Sequence, residues 1–484
     1  MRSVDILIIG TGFGGIGMAI RLAQAGFHDC LLLERASALG GTWRDNHYPG
    51  AACDVESHLY SFSFEPNADW SHVFARQPEI RAYMERCADK YGIRSKMRFD
   101  SNVVHAAFDE ASGRWAVRTE NGDQYSARVL VSACGGLSNP SKPDIPGLAH
   151  FRGKLFHSSR WDASYDLDGK RVAVIGTGAS AIQIVPEIAP RVARLDVYQR
   201  TAPWVIPRQD RPIGRAEKAL YRRAPAVQRL ARTAIFWKRE LFGIGFFKDP
   251  RVNQLGQRLA LRNIARGVED RELRRKLVPN YVMGCKRVLL SNDYYPALAR
   301  PNVELVTDPI ADVRADSIVT RDGRRRAIDA LVLATGFEAA EQLAPFEVLG
   351  RGGRSLDDAW RGGSEAYRGT TVAGFPNAFL IVGPNTGLGH GSMITMIEAQ
   401  IEYIVGALEH MRARNVKLLE VKAEDQRAYN AAIHARLERT VWATGGCVSW
   451  YRTRSGKNTT LWPGFMVEFQ RQMKTFDPRA YDAA

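Results

Sequence analysis

The sequence predicts an α/β protein with two Rossmann-like dinucleotide-binding domains, the second inserted in the first, and a helical subdomain. The two domains are predicted by a glycine-rich turn between a strand pattern and a helix pattern, found near residue 10 and again near residue 176. The helical subdomain is predicted by a basic stretch with apolar residues at helical spacing, at 208–284. With 484 residues, the chain is long enough for two or three domains of about 150 residues each.

The first glycine motif follows the first apolar run of the chain. Gly10, Gly12 and Gly15 give the pattern G-x-G-x-x-G before a helical pattern. The first glycine permits a tight turn, the second lets the backbone approach a pyrophosphate, and the third lets helix and strand pack closely. The next strand ends 24 residues after the first glycine in an acid that can bind ribose hydroxyls. The predicted binding residues are Gly10, Gly12, Phe13, Gly14, Gly15, Glu34 and Arg35.

The second glycine motif repeats this arrangement in the G-x-G-x-x-A variant. Its second strand ends in Arg200 instead of an acid. An arginine can pair with the 2′-phosphate of NADPH, which a carboxylate would repel. The sequence therefore favours NADPH over NADH. The predicted binding residues are Gly176, Thr177, Gly178, Ala179, Ser180 and Arg200.

Two dinucleotide motifs 166 residues apart imply a flavin, FAD, together with a nicotinamide cofactor. An apolar strand pattern ending in Ala334, Thr335 and Gly336 is typical of the return from an NADPH domain toward FAD. Three prolines at 140–146 indicate an interdomain linker. The predicted ranges are 1–140 and 373–484 for the FAD domain, and 150–372 for the NADPH domain with its helical insert at 208–284.

Composition excludes several other classes of protein. Apolar residues make up 45% and charged residues 25%, an ordinary globular balance. No run of about 18 apolar residues predicts a membrane span, and the N-terminus lacks the regions of a signal peptide. No two of the six cysteines form a C-x-x-C pair, which argues against a metal site and a dithiol redox centre. Scattered thiols suit a reducing compartment, so we expect a cytoplasmic protein.

The net charge of +15 is concentrated in one part of the chain. Residues 208–280 contain 19 Lys or Arg against 7 Asp or Glu. Because apolar residues interrupt the cations at helical spacing, we expect a solvated basic face of a helical subdomain and not a nucleic-acid site. Aromatic residues in the same stretch leave a contact with a membrane surface open. The sequence leaves the oligomeric state undetermined.

Two further motifs resemble type I Baeyer–Villiger monooxygenases such as phenylacetone, cyclohexanone and hydroxyacetophenone monooxygenases. Residues 151–162 fit the fingerprint F-x-G-x-x-x-H-x-x-x-W-D of that family. Residues 41–54 resemble its second signature, G-x-W-x4-[FY]-P-G-x-x-x-D, with Ala51 where the family more often has Gly or Met. The resemblance implies an enzyme that uses NADPH and O₂ to convert ketones to esters or lactones through a peroxyflavin. Sulfoxidation is implied as a side activity.

The resemblance also implies roles for individual residues. Arg287 lies in a segment similar to the family's G-x-K-R and would be the fixed cation that stabilises peroxide and oxyanion charge. Asp54 closes the second signature and would orient that arginine. His157 would occupy a hydrogen-bonded hinge position between the domains. Further cofactor-binding residues implied by the resemblance are Trp43, Asp54, Tyr60, Val103, Thr201, Lys286 and Trp450, the last in a mobile loop over NADPH.

Two alternatives remain at this point. Flavin monooxygenases that oxidise nitrogen or sulfur share the glycine motifs, but they usually lack the Trp161-Asp162 ending of the fingerprint. A flavoprotein that holds its nucleotides without turnover belongs to a different class, and the complete set of cofactor motifs argues against it.

Overall fold

The computed structural model describes residues 1–338 and 346–484, in which two sheets are built mainly from parallel strands. The strands are β1 Arg2–Ile9, β2 Cys30–Leu33, β3 Met97–Arg98, β4 Val103–Asp109, β5 Arg114–Thr119, β6 Gln124–Ser132, β7 Lys154–His157, β8 Arg171–Ile175, β9 Arg194–Tyr198, β10 Val205–Ile206, β11 Leu289–Leu290, β12 Val303–Val306, β13 Ile310–Arg314, β14 Ser317–Thr320, β15 Arg325–Ala327, β16 Ala330–Leu333, β17 Glu347–Leu349, β18 Ala378–Leu380, β19 Leu419–Val421 and β20 Tyr481–Ala483.

The helices pack on the sheets and form the helical subdomain. They are α1 Phe13–Gln24, α2 Thr42–Asp45, α3 Gln77–Lys90, α4 Ala181–Ile188, α5 Arg215–Arg223, α6 Pro225–Phe247, α7 Asn253–Gly267, α8 Arg271–Lys276, α9 Tyr294–Leu298, α10 Leu356–Ala359, α11 Met393–Arg414, α12 Ala423–Leu437, α13 Val441–Thr444 and α14 Met466–Met473. Within the described ranges, no helix combines the length and the apolar character needed to cross a bilayer.

The first sheet has the order β17-β4-β5-β6-β1-β2-β3, with β18 beside β6. Side chains of β1 alternate between its two faces, as the pleat requires. Ile6 and Ile8 pack in one core with α1 and α11, whereas Leu7 and Ile9 pack with Trp115 on the other face. Both faces are therefore buried, which explains why β1 reads as a continuous apolar run.

The second sheet has the order β12-β9-β8-β16-β7, and all its strands are parallel. Its strands fall between β6 and β17 of the first sheet, so the second unit is inserted in the first, as the sequence predicts. Helices α5 to α8 form the helical subdomain. One strand departs from the predicted domain ranges: β17 lies inside 150–372 but pairs with β4 of the first sheet.

Candidate active site

The first glycine turn connects β1 to α1. Gly10 has a φ of +105°, and a Cβ atom there would lie 2.7 Å from the carbonyl oxygen of Ala133. A Cβ atom on Gly15 would lie 1.9 Å from the carbonyl oxygen of Gly10. Because a side chain cannot be accommodated at either position without movement of the backbone, the turn stays tight. The unpaired N–H groups at the start of α1 are then available to phosphate oxygens.

A cavity of about 270 Å³ opens beside this turn. The glycine turn and an acid at the end of β2, which both line this cavity, fit a dinucleotide. The residues predicted for cofactor binding or catalysis that line it are Gly10, Gly12, Phe13, Gly14, Glu34, Arg35, Trp43, Tyr60, Val103, Arg287 and Trp450. Other lining residues that sequence reasoning did not single out include Thr11, Asn102, Ala133, Ile381, Tyr451 and Thr460. Thr11 lies inside the first glycine motif, whereas the others are in strand-end or C-terminal loops that no local motif marks.

Glu34 is held in one orientation at the edge of the cavity. Its carboxylate accepts hydrogen bonds from the backbone N–H and the hydroxyl of Thr11, at 3.0 and 2.7 Å. It also pairs with Arg44 at 2.8 Å and is 5% exposed. The adjacent Arg35 donates to the carbonyl of Ser138 at 3.0 Å. These contacts fix the carboxylate where the predicted ribose would lie, and Arg44 is a partner that the sequence motif did not indicate.

Aromatic side chains form another wall of the cavity. The indole N–H of Trp43 donates to the hydroxyl of Tyr60 at 3.0 Å, and the two rings meet edge to face at 5.7 Å. Phe13 meets Tyr60 edge to face at 5.6 Å. Burial raises the pKa of Tyr60, so the phenol stays neutral. Such a wall suits the planar ring system of a flavin.

Arg287 and Asp54 form a bidentate ion pair, although they lie 233 residues apart in the chain. Nε and Nη2 of the guanidinium donate to the two carboxylate oxygens, each at 2.7 Å. The negative charge of Asp54 raises the pKa of Arg287, even though burial opposes it. Burial alone would raise the pKa of Asp54, but the charge and hydrogen bonds of Arg287 lower it. Both groups are therefore ionised at neutral pH, and Arg287 is a fixed cation on the cavity wall.

Two further residues complete the surroundings of this pair. Arg239 of α6 donates to the backbone carbonyl of Asp54 at 3.0 Å and to the carboxylate of Glu56 at 2.7 Å. Tyr451 is 1% exposed, and its hydroxyl has no hydrogen-bond partner among the described residues. Burial raises the pKa of Tyr451 to about 12, so the hydroxyl keeps its proton and is able to donate. No sequence motif indicates Arg239, whereas Tyr451 directly follows the predicted Trp450.

The second glycine turn connects β8 to α4. Gly176 has a φ of +118°, and a Cβ atom there would lie 2.3 Å from the carbonyl oxygen of Ala334. The hydroxyl of Thr177 donates to the carbonyl of Thr201 at 3.0 Å, which ties the turn to the end of the next strand. A Cβ atom on Gly178 would meet nothing within 4 Å. Ala179 and Ser180 follow at the surface end of α4, so this turn faces open space.

Two cations lie together near the second turn. Arg200 is exposed, and neither it nor Lys286 pairs with a carboxylate within the described parts of the chain. Burial and the nearby charge of Arg200 lower the pKa of Lys286. Lys286 lies 5.2 Å from the centre of the Tyr281 ring. Paired cations without acidic partners fit an anionic group such as the 2′-phosphate.

Residues 334–336, predicted to lead from the NADPH domain back to the FAD domain, join the two domains. Gly336 has a φ of +83°, and the hydroxyl of the preceding Thr335 donates to the carbonyl of Ser141 in the linker at 2.6 Å. His157 ends β7, where its Nδ1 lies 2.9 Å from the hydroxyl of Ser159 and its ring meets Phe337 at 5.6 Å. These residues lie at the junction and not on the cavity wall. This position is compatible with the predicted hinge role of His157, whose side chain does not line the cavity.

A disulfide bond links the segment that carries Arg287 to the C-terminal loop. Cys285 and Cys447 are joined, whereas the other cysteines are free. Cys447 lies three residues before Trp450, which is 44% exposed and lines the cavity. This bond was not predicted from the sequence, in which the six cysteines are scattered thiols without a C-x-x-C pair. The sequence could not reveal it, because the partners are 162 residues apart and only the fold brings them together.

Comparison with known proteins places this geometry in a family. The model of the pyridine nucleotide-disulphide oxidoreductase family matches residues 7–214. A protein named Baeyer-Villiger monooxygenase from Pseudomonas aeruginosa is 52% identical over 99% of this chain and 91% of its own length. One of the same name from Streptomyces coelicolor is 50% identical over 99% of this chain and 92% of its own length. A solved structure of an oxidised steroid monooxygenase bound to NADP has a TM-score of 0.89 and 32% identity, and the match covers 100% of this chain and 99% of that one.

Identities of 52% and 50% extend over 99% of the chain, a span that includes both signature motifs and both glycine turns. The relationship is too extensive to reflect the fold alone, and the chain belongs to the Baeyer–Villiger monooxygenase family.

Proposed function

We propose that the protein uses FAD, NADPH and O₂ to insert one oxygen atom beside a ketone carbonyl, giving an ester or a lactone. The ketone gains one oxygen atom, the other leaves as water, and NADPH is oxidised to NADP⁺. The observation that carries this proposal is the Arg287–Asp54 pair on the wall of the cavity beside the first glycine turn. A fixed cation at that place is what an oxygen-centred anion requires.

FAD, when bound, supplies the redox chemistry with O₂, and the chain supplies position and charge. Arg287 uses Nε and Nη2 to bind Asp54, which leaves Nη1 without a partner in the described chain. That N–H group is free to donate to an oxygen that carries negative charge. Asp54 fixes the plane of the guanidinium, and Arg239 in turn holds the backbone of Asp54. Tyr451 adds a neutral hydroxyl that can donate in the same region.

Exclusion of water follows from the position of the C-terminal loop. Trp450 and Tyr451 line the cavity together with Arg287, and the disulfide fixes the same loop to the segment that carries Arg287. In a drier site the attraction between the cation and an oxygen anion is stronger, because fewer waters screen it.

Arg200 and Lys286, with Thr201 beside them, are proposed to bind the 2′-phosphate of NADPH. The proposed domain ranges are 1–140 and 373–484 for FAD and 150–372 for NADPH, with β17 contributing to the first sheet. A cytoplasmic location is supported by the four free cysteines. The Cys285–Cys447 disulfide argues against it, so counting free thiols in protein taken directly from cells would decide the matter.

The test follows NADPH oxidation by the FAD-loaded enzyme with a panel of ketones and thioethers, with products identified by mass spectrometry. Ketones should give esters or lactones, and thioethers should give sulfoxides as a side activity. Arg287→Ala should lower ester formation by about 10²–10³-fold while NADPH still reduces the flavin. Arg287→Lys is the matched control: it keeps the charge, loses the bidentate geometry and should retain part of the activity.

Two results would contradict the proposal. Sulfoxides or N-oxides without an ester from any ketone would favour a heteroatom oxygenase. Full ester formation by Arg287→Ala would remove the role assigned to the cation.

A further inference from the structure

Helix α6 exposes an apolar stripe on the surface of the helical subdomain. In the described chain, 16 large apolar side chains are exposed, and 11 of them lie between Leu220 and Val278. The most exposed on α6 are Leu230 (69%), Leu241 (64%), Trp237 (52%) and Phe242 (52%), together called the α6 stripe. Residues 230, 237 and 241 are separated by nearly whole helical turns and therefore lie on one face, and Phe242 extends the stripe on its flank, about 120° around the helix from Leu230.

The stripe is not the packing face of the helix. The opposite face already has its partners: Arg239 pairs with Glu56, and Arg232 donates to the carbonyl of His58 at 2.8 Å. Glu240 on the same face accepts a hydrogen bond from the backbone N–H of Met466. The stripe is thus additional to the contacts that hold α6 in place, and an external partner is free to cover it.

The surroundings of the stripe are strongly basic. Between Arg222 and Arg266, nine Lys or Arg residues are exposed, whereas Asp249 is the only exposed acid among these described residues. Helix α7 adds Leu255 (68% exposed) and alternates exposed cations with exposed leucines. Apolar side chains mixed with cations, and almost without acids, complement a surface that is negative outside and apolar beneath.

We propose that the α6 stripe and its surrounding cations dock the enzyme on an anionic lipid bilayer. A second copy of the chain would bring two sets of nine cations together, and this repulsion opposes dimerisation through the stripe. Nucleic acid would neutralise the cations but would leave the leucines and the tryptophan without an apolar environment. A bilayer can bind both the cations and the apolar side chains. Its anionic headgroups pair with the cations, and the apolar side chains of the stripe insert among its acyl chains.

Docking in this way brings the candidate active site close to the lipid. Arg239 contacts the backbone of Asp54 from the inner face of the helix whose outer face would touch the bilayer. The site then lies about one helix diameter, roughly 10 Å, from the membrane surface. Ketones that partition into membranes would have a short path to the cavity.

The test measures flotation of the FAD-loaded enzyme with vesicles of phosphatidylglycerol and with vesicles of phosphatidylcholine. The enzyme should float with the phosphatidylglycerol vesicles only, and high salt should weaken this binding because it screens the cations. The double variant Leu230→Gln/Leu241→Gln should bind the phosphatidylglycerol vesicles at least about tenfold more weakly than the parent, because two apolar side chains of the stripe are removed. The matched control is Leu155→Gln, an exposed leucine (39%) on β7, and it should bind like the parent.

Both variants should keep their flavin and melting temperature, since the altered side chains are exposed; this measurement separates loss of docking from loss of folding. The proposal is overturned if the parent binds neither kind of vesicle, or if the double variant binds as well as the parent. Oligonucleotide binding or a concentration-dependent dimer, without vesicle binding, would assign the surface to nucleic acid or to a second copy. None of these measurements depends on oxygenase turnover.

Discussion

The two glycine turns of the chain share one backbone plan but lie in different surroundings. In each turn the first glycine has a positive φ, and its missing Cβ faces a backbone carbonyl of a neighbouring strand end: Ala133 for Gly10 and Ala334 for Gly176. The first turn is covered by the C-terminal part of the chain. A Cβ atom on Gly14 would lie 3.0 Å from the side chain of Ile381. At the second turn, Gly178 faces open space.

This difference matches the two tasks that a flavin monooxygenase must separate. A cofactor that stays bound through many turnovers needs an enclosed site, whereas one that is consumed in each turnover needs an open one. The same G-x-G-x-x-G/A turn serves both tasks, because the surrounding chain decides whether the site is closed. The experiments below test that contrast.

The largest effect is expected from a methyl group at the tight position of the closed turn. Gly15→Ala would place a Cβ atom 1.9 Å from the carbonyl oxygen of Gly10, so the backbone has to move. We expect the variant to lose bound FAD and much of its stability, by roughly 3 kcal/mol or more. The measurement is the ratio of flavin to protein together with the melting temperature.

Gly178→Ala places the same methyl group in the open turn and serves as the control. No protein atom lies within 4 Å of its new Cβ, so the variant should fold and keep its FAD, with a higher KM for NADPH as the only change. Equal retention of flavin by both variants would show that the tight packing of Gly15 against Gly10 is not what holds the cofactor.

A second test loosens the loop that helps to enclose the first cavity. Cys447→Ser removes the disulfide to Cys285 and frees the loop that carries Trp450. Since the bond closes a segment of 162 residues, its loss should lower the stability by up to about 5 kcal/mol on a chain-entropy model. The melting temperature should fall, and more of the NADPH oxidised should yield H₂O₂ in place of ester.

A reducing agent should have the same effect on the parent protein and none on the variant. Alkylation of the unfolded, unreduced parent should modify four cysteines, and modification of all six would show that the bond does not form.

A smaller effect is expected at the open turn. Arg200→Ala removes a cation without altering the first cavity, so FAD should stay bound. Loss of one charge-assisted contact to the 2′-phosphate should lower kcat/KM for NADPH by about tenfold to a hundredfold. Catalysis with NADH, which lacks that phosphate, should be nearly unchanged. Equal losses with both nucleotides would show that Arg200 does not recognise the phosphate.

Both glycine turns could be located from the sequence, because each depends on a local pattern. The period of the apolar residues and the position of the glycines predict a strand, a turn and a helix at each site. The resemblance to a family selected Arg287 and Asp54, which the structure brings together as an ion pair.

Contacts between distant segments were not predictable in this way. The link of Arg44 to Glu34, the support of Asp54 by Arg239 and the pairing of β17 with β4 leave no periodic signal. The disulfide is the clearest case: Cys285 lies inside the recognised G-x-K-R segment, yet its partner could be any other cysteine until the fold is known.

The last test concerns the titration of a buried acid on α6, the helix that also carries Arg239. Glu240 is 2% exposed, and one of its oxygens has no hydrogen-bond partner among the described residues. Burial raises the pKa of Glu240 to about 7, above its ordinary value of 4.5. Between these values the unfolded chain releases the proton while the folded protein keeps it, so stability falls as the pH rises, by about 3 kcal/mol at most.

Glu240→Gln keeps an oxygen for the N–H of Met466 but cannot ionise. Its advantage in melting temperature over the parent should therefore be larger at pH 8 than at pH 5. Glu272→Gln, at an exposed position on α8, is measured in parallel as the control. A constant difference between Glu240→Gln and the parent across this range would mean that Glu240 is already ionised at pH 5. The surroundings of Glu240, between α6 and the start of α14, would then be better solvated than their packing indicates.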